Sequence, residues 1–292
     1  MTLNINYFSD KFVFYHLRKI TNGHLLLIDS KGKEHFFGNP ESPLKAKLKI
    51  NSPSFCLNLL RKGSSGLGES YINNEFETSN LSSLIELSAR NINVTYKFSG
   101  FFQFFLLKNL LYKKIFINTR ERSKKNISSH YDLGNEFFST FLDKSLTYSC
   151  GIFNTPDETL EKAQINKYNK LINLVKPKYG DKILEIGCGW GGFAEHLAKN
   201  YNVKIDCITI SKKQFLFTKQ RIRQLGLTDK VNVQMIDYRD VKNKYDIIVS
   251  IEMIEAVGEK YLDQYFKKIK DSLKQGGTAA IQGITIKNEL FG

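Results

Sequence analysis

The sequence lacks the marks of export, membrane insertion and crosslinking. No N-terminal stretch combines a charged start, an apolar core and a small-residue cleavage site, and no uncharged apolar run approaches the roughly 20 residues that a bilayer helix needs. Residence in the cytoplasm is the expectation. The four cysteines, Cys56, Cys150, Cys188 and Cys207, show neither a C-x-x-C pair nor metal-ligand spacing, which argues against a disulfide framework and against zinc. No internal repeat is visible. Acids are scarce at one end: up to residue 128 there are 19 Lys and Arg against 9 Asp and Glu, a net +10, whereas the remainder has 24 against 20 and supplies +4 of the total +14.

What is present suits two globular cores. The chain has 292 residues, 41% hydrophobic and 25% charged. Residues 1–95 read as a smaller α+β domain: GHLLLIDSKGKEHFFG alternates around turn residues, SPLKAKLKINSP leads toward a short strand, RKGSSGLGESYIN has glycines enough for a tight loop, and SLIELSARN closes a helix. Residues 96–128 form an amphipathic basic connector. Within it, FFQFFLLKNLLYKKIFINTRERSKKN (101–126) joins an aromatic apolar helix to seven cations and one anion. Such a segment can lie in a membrane interface, with Phe101, Phe102, Phe104, Phe105, Leu106 and Leu107 inward and Lys113, Lys114, Arg120 and Arg122 among anionic headgroups. The alternative is a packed helix followed by a solvated basic linker. Nucleic acid is not expected as a partner, because the aromatics cluster instead of interleaving with the cations.

Residues 129–292 carry the chemistry. Two amphipathic helices, NEFFSTFLD and ETLEKAQINKYNKLINLVK, lead to an apolar strand that ends in Glu185 and a glycine-rich turn, Gly187-Cys188-Gly189-Trp190-Gly191-Gly192. Glycines let backbone approach a ligand, and the helix that follows points its positive end into the same space. Strands VKIDCITI, VNVQMID, YDIIVSIE and TAAIQGITI then alternate with helices SKKQFLFTKQRIRQLG and EKYLDQYFKKIKDSLKQGG. The pattern predicts an α/β fold with a doubly wound, mostly parallel Rossmann-like sheet, whose ligands bind at the carboxyl ends of the strands. The loop lacks the G-x-G-x-x-G spacing that seats a pyrophosphate. Its leading acid suits a ligand with an ammonium group, so Glu185 is expected to face the methionine part of S-adenosylmethionine (SAM).

At SSHYDLGNEFFSTFLDKSLTYSCGIF, EIGCGWGG, ITIS and DYRDV, and at LGESYINNEFETSNLSSLIEL in the first domain, the chain resembles the cyclopropane-fatty-acyl-phospholipid synthase family of methyltransferases, which includes the mycolic acid cyclopropane synthases. The resemblance implies that a methylene from SAM is added across a cis double bond of a phospholipid acyl chain. A carbocation forms first, and loss of a proton from the new methyl then closes the ring. It also implies peripheral association with the inner face of an anionic membrane, since hiding an acyl chain from water is worth ~0.8 kcal/mol per methylene. An aromatic, water-poor site suits a sulfonium and a carbocation, and Tyr131, Tyr148, Phe153 and Trp190 are available. A methyl branch formed without ring closure, or a remnant that binds SAM or membrane without catalysis, are the alternatives.

Carried over by position, Tyr148 and Ser149 resemble residues that close over the cofactor, and Gly187 and Gly189, with Gly191 beyond them, resemble the floor beneath its methionine part. Thr209 and Gln214 match positions that hold its ribose and carboxylate region. Asp237, Tyr238 and Arg239 fall where adenine is bounded. Cys150 and Glu255 match positions around a bound bicarbonate, the family's proposed proton acceptor. His130 is a further catalytic candidate, with a satisfied structural histidine as its alternative reading. The chain departs from the pattern in two ways. The histidine that many relatives place in the bicarbonate site falls on Gln282, which cannot carry charge at neutral pH, and the neighbour of the acid is Ala256. The sequence also stops at NELFG after the fifth strand, where the resemblance implies two further strands, a bicarbonate-site tyrosine and much of the lipid channel. A fragment, a shortened reading frame and one half of a split enzyme are the alternative readings. A homodimer or a complementing C-terminal chain is a candidate partner, and residues 1–292 alone are expected to bind the cofactor weakly and turn over poorly.

Overall fold

The computed structural model describes residues 2–95 and 134–287, in two compact units that part between Phe116 and Ile117. The first unit opens with helix α1 (Thr2–Leu17), to which the sequence reading assigned no element. Strands β1 (His24–Ile28) and β2 (Glu34–Gly38) form a hairpin around the turn residues noted above, while β3 (Lys45–Ile50) runs parallel to β1 and pairs with the short β4 (Phe76–Glu77). KAKLKI is itself the strand: Ala46, Leu48 and Ile50 are buried and the three lysines face water. Helices α2 (Phe55–Lys62), α3 (Ser64–Ile72) and α4 (Leu81–Arg90) complete the unit. The expected glycine loop at 61–73 is mostly helix α3, and a Cβ on Gly66 would stand 2.3 Å from the Asn58 carbonyl oxygen. That glycine serves close helix packing.

The second unit begins, in its described part, with the short helix α5 (Asn135–Ser139) and continues through α6 (Leu160–Val175), β5 (Lys182–Ile186), α7 (Gly192–Asn200), β6 (Lys204–Ile208), α8 (Lys212–Gln224), β7 (Val231–Gln234), β8 (Tyr245–Ile251), α9 (Leu262–Ser272) and β9 (Leu273–Gln282). The five strands are all parallel, in the order β7-β6-β5-β8-β9. Because the sheet is covered on both faces, β5 and β8 are nearly continuous apolar runs. Ile183, Ile205 and Val249 pack with Leu171, Ile172, Phe193 and Leu197 of α6 and α7. Leu184, Ile208 and Ile248 pack with Tyr265 and Ile269 of α9. The chain leaves β5 toward β6 and later returns to β8 on its other side, so a crevice opens at their carboxyl ends.

Two boundaries differ from the sequence reading. The last helix ends at Ser272, and Leu273–Gly277 already belong to β9, with a register shift against β8 and Gly276 at φ 76°. At the other end β9 stops at Gln282, and Ile284 and Ile286, expected to be in the strand, are exposed. Among the described residues no helix is long and apolar enough to cross a membrane. The expected connector at 96–128, His130 and Tyr131 lie outside the described residues.

Candidate active site

A cavity of about 400 Å³ lies at the carboxyl edge of β5, β6 and β8, within the range of small-molecule sites. Its floor is the glycine loop. Gly187, Gly189 and Gly191 have φ values of 79°, 53° and 84°, a region in which a side chain is strained. A Cβ on Gly189 would meet nothing within 4 Å, so that backbone borders open space. Gly191 is not among the lining residues: it caps α7, and a Cβ there would lie 2.6 Å from Thr218 Cγ2. The structure gives Gly191 a packing role between the loop and α8.

One wall is a strap, residues 145–152, buttoned to α6. Gln164 Nε2 donates to the Ser149 carbonyl at 2.8 Å, Tyr168 shares a hydrogen bond with Thr147 Oγ1, and Ile152 N donates to the Ala163 carbonyl at 3.0 Å. The buried ammonium of Lys167 donates to Ser149 Oγ at 2.6 Å. Arg221 of α8 ties the strap to the loop through the carbonyls of Lys144 and Ser145, both 2.7 Å, and Trp190, 3.0 Å. Tyr148 and Ser149 thereby line the cavity. Trp190 is buried against Phe138, its ring nitrogen donating to Asn135 Oδ1 at 2.8 Å, whereas Phe153 is half exposed.

The remaining walls come from strand ends. Thr209 Oγ1 donates to Gln214 Oε1 at 2.8 Å, both residues buried after β6. Asp237 pairs with Arg239 through two side-chain bonds, 2.9 and 2.6 Å, and caps the turn that presents Tyr238. Thr209, Gln214, Asp237, Tyr238 and Arg239 all line the cavity, as does Glu185. Burial pushes the Glu185 carboxyl up to about 8, against the opposing effects of the Cys207 thiol, which donates to it at 3.4 Å, and of the Lys167 charge. Burial likewise pulls Lys167 down to about 8, with the charges of Glu252, Cys150, Asp143 and Glu185 drawing it back.

Of the expected catalytic residues, Cys150 and Gln282 meet: the Gln282 amide nitrogen is 3.1 Å from Cys150 Sγ. The residue that joins them is Glu252, which the sequence reading passed over. Its Oε1 accepts from the Cys150 backbone N–H at 2.9 Å and from Gln282 Nε2 at 2.8 Å, and it lines the cavity. Glu255 is exposed outside the lining, its Oε1 accepting from the Ile284 N–H at 2.6 Å. An acid at the end of the fourth strand was a signal for Glu252. For Lys167 the signal was a cation at an inward position of α6, among Ala163, Gln164, Tyr168, Leu171 and Ile172.

The sequence model of mycolic acid cyclopropane synthetase matches residues 118–290, more than half of the chain. The chain belongs to that family. Tuberculostearic acid methyltransferase UfaA1 of Mycobacterium tuberculosis is 32% identical over 286 residues, which are 92% of this chain and 64% of the relative. The cyclopropane-fatty-acyl-phospholipid synthase of Escherichia coli is 34% identical over 251 residues, 83% of this chain and 62% of the relative. A probable fatty acid methyltransferase of Pseudomonas putida is 42% identical over 164 residues, 56% of this chain and 42% of the relative. The chain thus spans between 42% and 64% of the length of these relatives. Among solved structures, mycolic acid cyclopropane synthase CmaA1 complexed with SAH and CTAB superposes with a TM-score of 0.53 at 30% identity, over 54% of this chain and 55% of that one. Family membership and this superposition place the second unit in the class I SAM-dependent methyltransferase fold.

Proposed function

We propose that this protein transfers a one-carbon group from SAM to the cis double bond of a phospholipid acyl chain and closes it into a cyclopropane. The observation that carries the reading is the single cavity into which the glycine floor, the Thr209–Gln214 pair, the Asp237–Arg239 turn and the carboxyl of Glu185 converge. These parts suit the donor chemically. Glycine backbone admits the methionine part, a buried carboxyl faces its ammonium, and polar groups after β6 and β7 meet the ribose and adenine. When bound, the donor would supply a methyl carbon to the olefin as its carbon–sulfur bond breaks and a neutral thioether leaves. The other olefin carbon would become cationic, and the ring would close when the new methyl loses a proton. Water would quench that cation, so Trp190 and Tyr148, which line the cavity with Phe138 packed against them, favour the reaction by keeping that wall apolar. The +10 charge of residues 1–128 supports collection of the substrate at an anionic membrane, on the cytoplasmic face.

A second reading, methyl branching without ring closure, draws support from Gln282, a neutral amide where the family resemblance expects histidine, and from relatives named as fatty acid methyltransferases. Lipids extracted after expression in cells that lack such products separate the readings. A species heavier by one methylene whose double bond is gone supports cyclopropanation. The same mass with unsaturation kept supports branching, and unchanged lipids would refute both.

A further inference from the structure

We propose that the proton acceptor of this site is part of the chain: the carboxylate of Glu252 removes the proton whose loss closes the ring, in the place that the family resemblance gives to bicarbonate. The inference rests on the reading above and concerns its last step.

The positions that the resemblance assigns to holding an anion do not fit a second anion here. Cys150 offers a backbone N–H and Gln282 an amide N–H, and both already converge on Glu252 Oε1, at 2.9 and 2.8 Å. A bicarbonate would compete for these donors while standing beside a fixed carboxylate, and two like charges in a water-poor pocket repel. The chain supplies the anion instead. Its backbone is set for the purpose: Glu252 has φ 48°, in the left-handed region that residues with a Cβ avoid, and is held there by its N–H donating to the Gln282 carbonyl at 2.9 Å.

The surroundings suit a base. Gln282 donates a hydrogen bond without neutralising the carboxylate, whereas a charged partner in contact would hold its electrons. Lys167 supplies balancing charge through space while its own hydrogen bond goes to Ser149 Oγ. The nearby acids have other partners, Glu185 of the lining with the Cys207 thiol and Glu255 outside it with the Ile284 N–H. In the step itself the carbon–sulfur bond breaks, sulfur keeps the pair, and a carbon–carbon bond forms to one olefin carbon. Glu252 then takes a proton from the transferred methyl. The electron pair of that C–H bond joins the methyl carbon to the cationic carbon, and the protonated carboxyl later returns its proton to water.

The test assays the full chain on vesicles of anionic phospholipid with cis-unsaturated chains, in bicarbonate-depleted buffer and with bicarbonate restored. The expected wild-type rate is the same within twofold in both. Glu252→Gln is expected to be about 10²-fold slower, a typical loss for a general base, while its affinity for S-adenosylhomocysteine stays within threefold of wild type. Glu252→Asp is expected to recover part of the rate. A wild-type rate that bicarbonate raises more than twofold would overturn the proposal even if the glutamine variant fails to fold. So would a folded Glu252→Gln that loses less than tenfold. A wild type that binds S-adenosylhomocysteine yet makes no product in either buffer would instead overturn the reading of function, and this inference with it.

Discussion

Replacing Lys167 by methionine should stabilise the protein and impair the site. Burial lowers the ammonium from 10.5 to about 8, although nearby Glu252, Cys150, Asp143 and Glu185 oppose the shift. About 2.5 pH units at ~1.36 kcal/mol each make the charged form cost about 3 kcal/mol in the folded chain. The unfolded chain keeps this proton up to 10.5 and the folded chain only to about 8. Between those values the folded state binds fewer protons, so stability rises with pH; below 8 the cost is complete, and above 10.5 it is gone. Methionine fills the space without charge but forfeits the bond to Ser149 Oγ, worth about 1–2 kcal/mol. Glu185, held up to about 8, is protonated at pH 7 and adds little uncompensated charge of its own, so the loss falls on Glu252. The net expectation at pH 7 is a gain of about 1–2 kcal/mol in urea unfolding, shrinking toward zero or reversing by about pH 10. Turnover should fall about tenfold as Ser149 loses its anchor and Glu252 its balancing charge. A variant destabilised at pH 7 by more than about 1 kcal/mol, or a gain that ignores pH, would refute the reasoning.

Three further outcomes are expected. If the ligand's ammonium faces Glu185, binding of S-adenosylhomocysteine at pH 7 should expel close to one proton, and affinity should climb as pH approaches 8 and level off above it; calorimetry in buffers of differing ionisation enthalpy would disprove this by giving identical heats. Gly189→Ala should cost ~1 kcal/mol for its left-handed backbone and weaken S-adenosylhomocysteine binding tenfold or more, since its methyl enters open space. Gly191→Ala should mainly destabilise, by driving a methyl against Thr218, and equal effects of the two substitutions on affinity would contradict the assigned roles. Arg221→Lys cannot reproduce the fork that reaches three carbonyls while pairing with Glu195, so thermal unfolding should report a loss of about 2 kcal/mol, and a change below about 0.5 kcal/mol would show the strap to be held otherwise.

Much of the second unit was legible because its signals are local. The apolar runs of β5 and β8 and the glycine loop each act over a few residues, and a parallel sheet leaves few ways to assemble them. The end of α9 was misplaced because KQGG reads as a helix terminus, whereas pairing with β8 draws Leu273 into a strand. In the first unit the glycines of α3 suggested a loop because the carbonyl of Asn58, against which Gly66 packs, lies in the preceding helix.

By itself the sequence indicated the α/β class, the family and residues that line one cavity: Glu185, Gly187, Gly189, Thr209, Gln214 and the Asp237–Arg239 turn. Glu185 and the glycines follow from a strand end that periodicity locates, and the others from the family resemblance. The tertiary structure alone decided which acid turns toward the cavity. Glu252 and Glu255 are three residues apart on one loop, and nothing in their spacing says that the first turns back toward Cys150 and Gln282 while the second turns out to Ile284. That choice rests on contacts across 102 and 30 positions of chain and on one left-handed backbone angle, which no local pattern encodes.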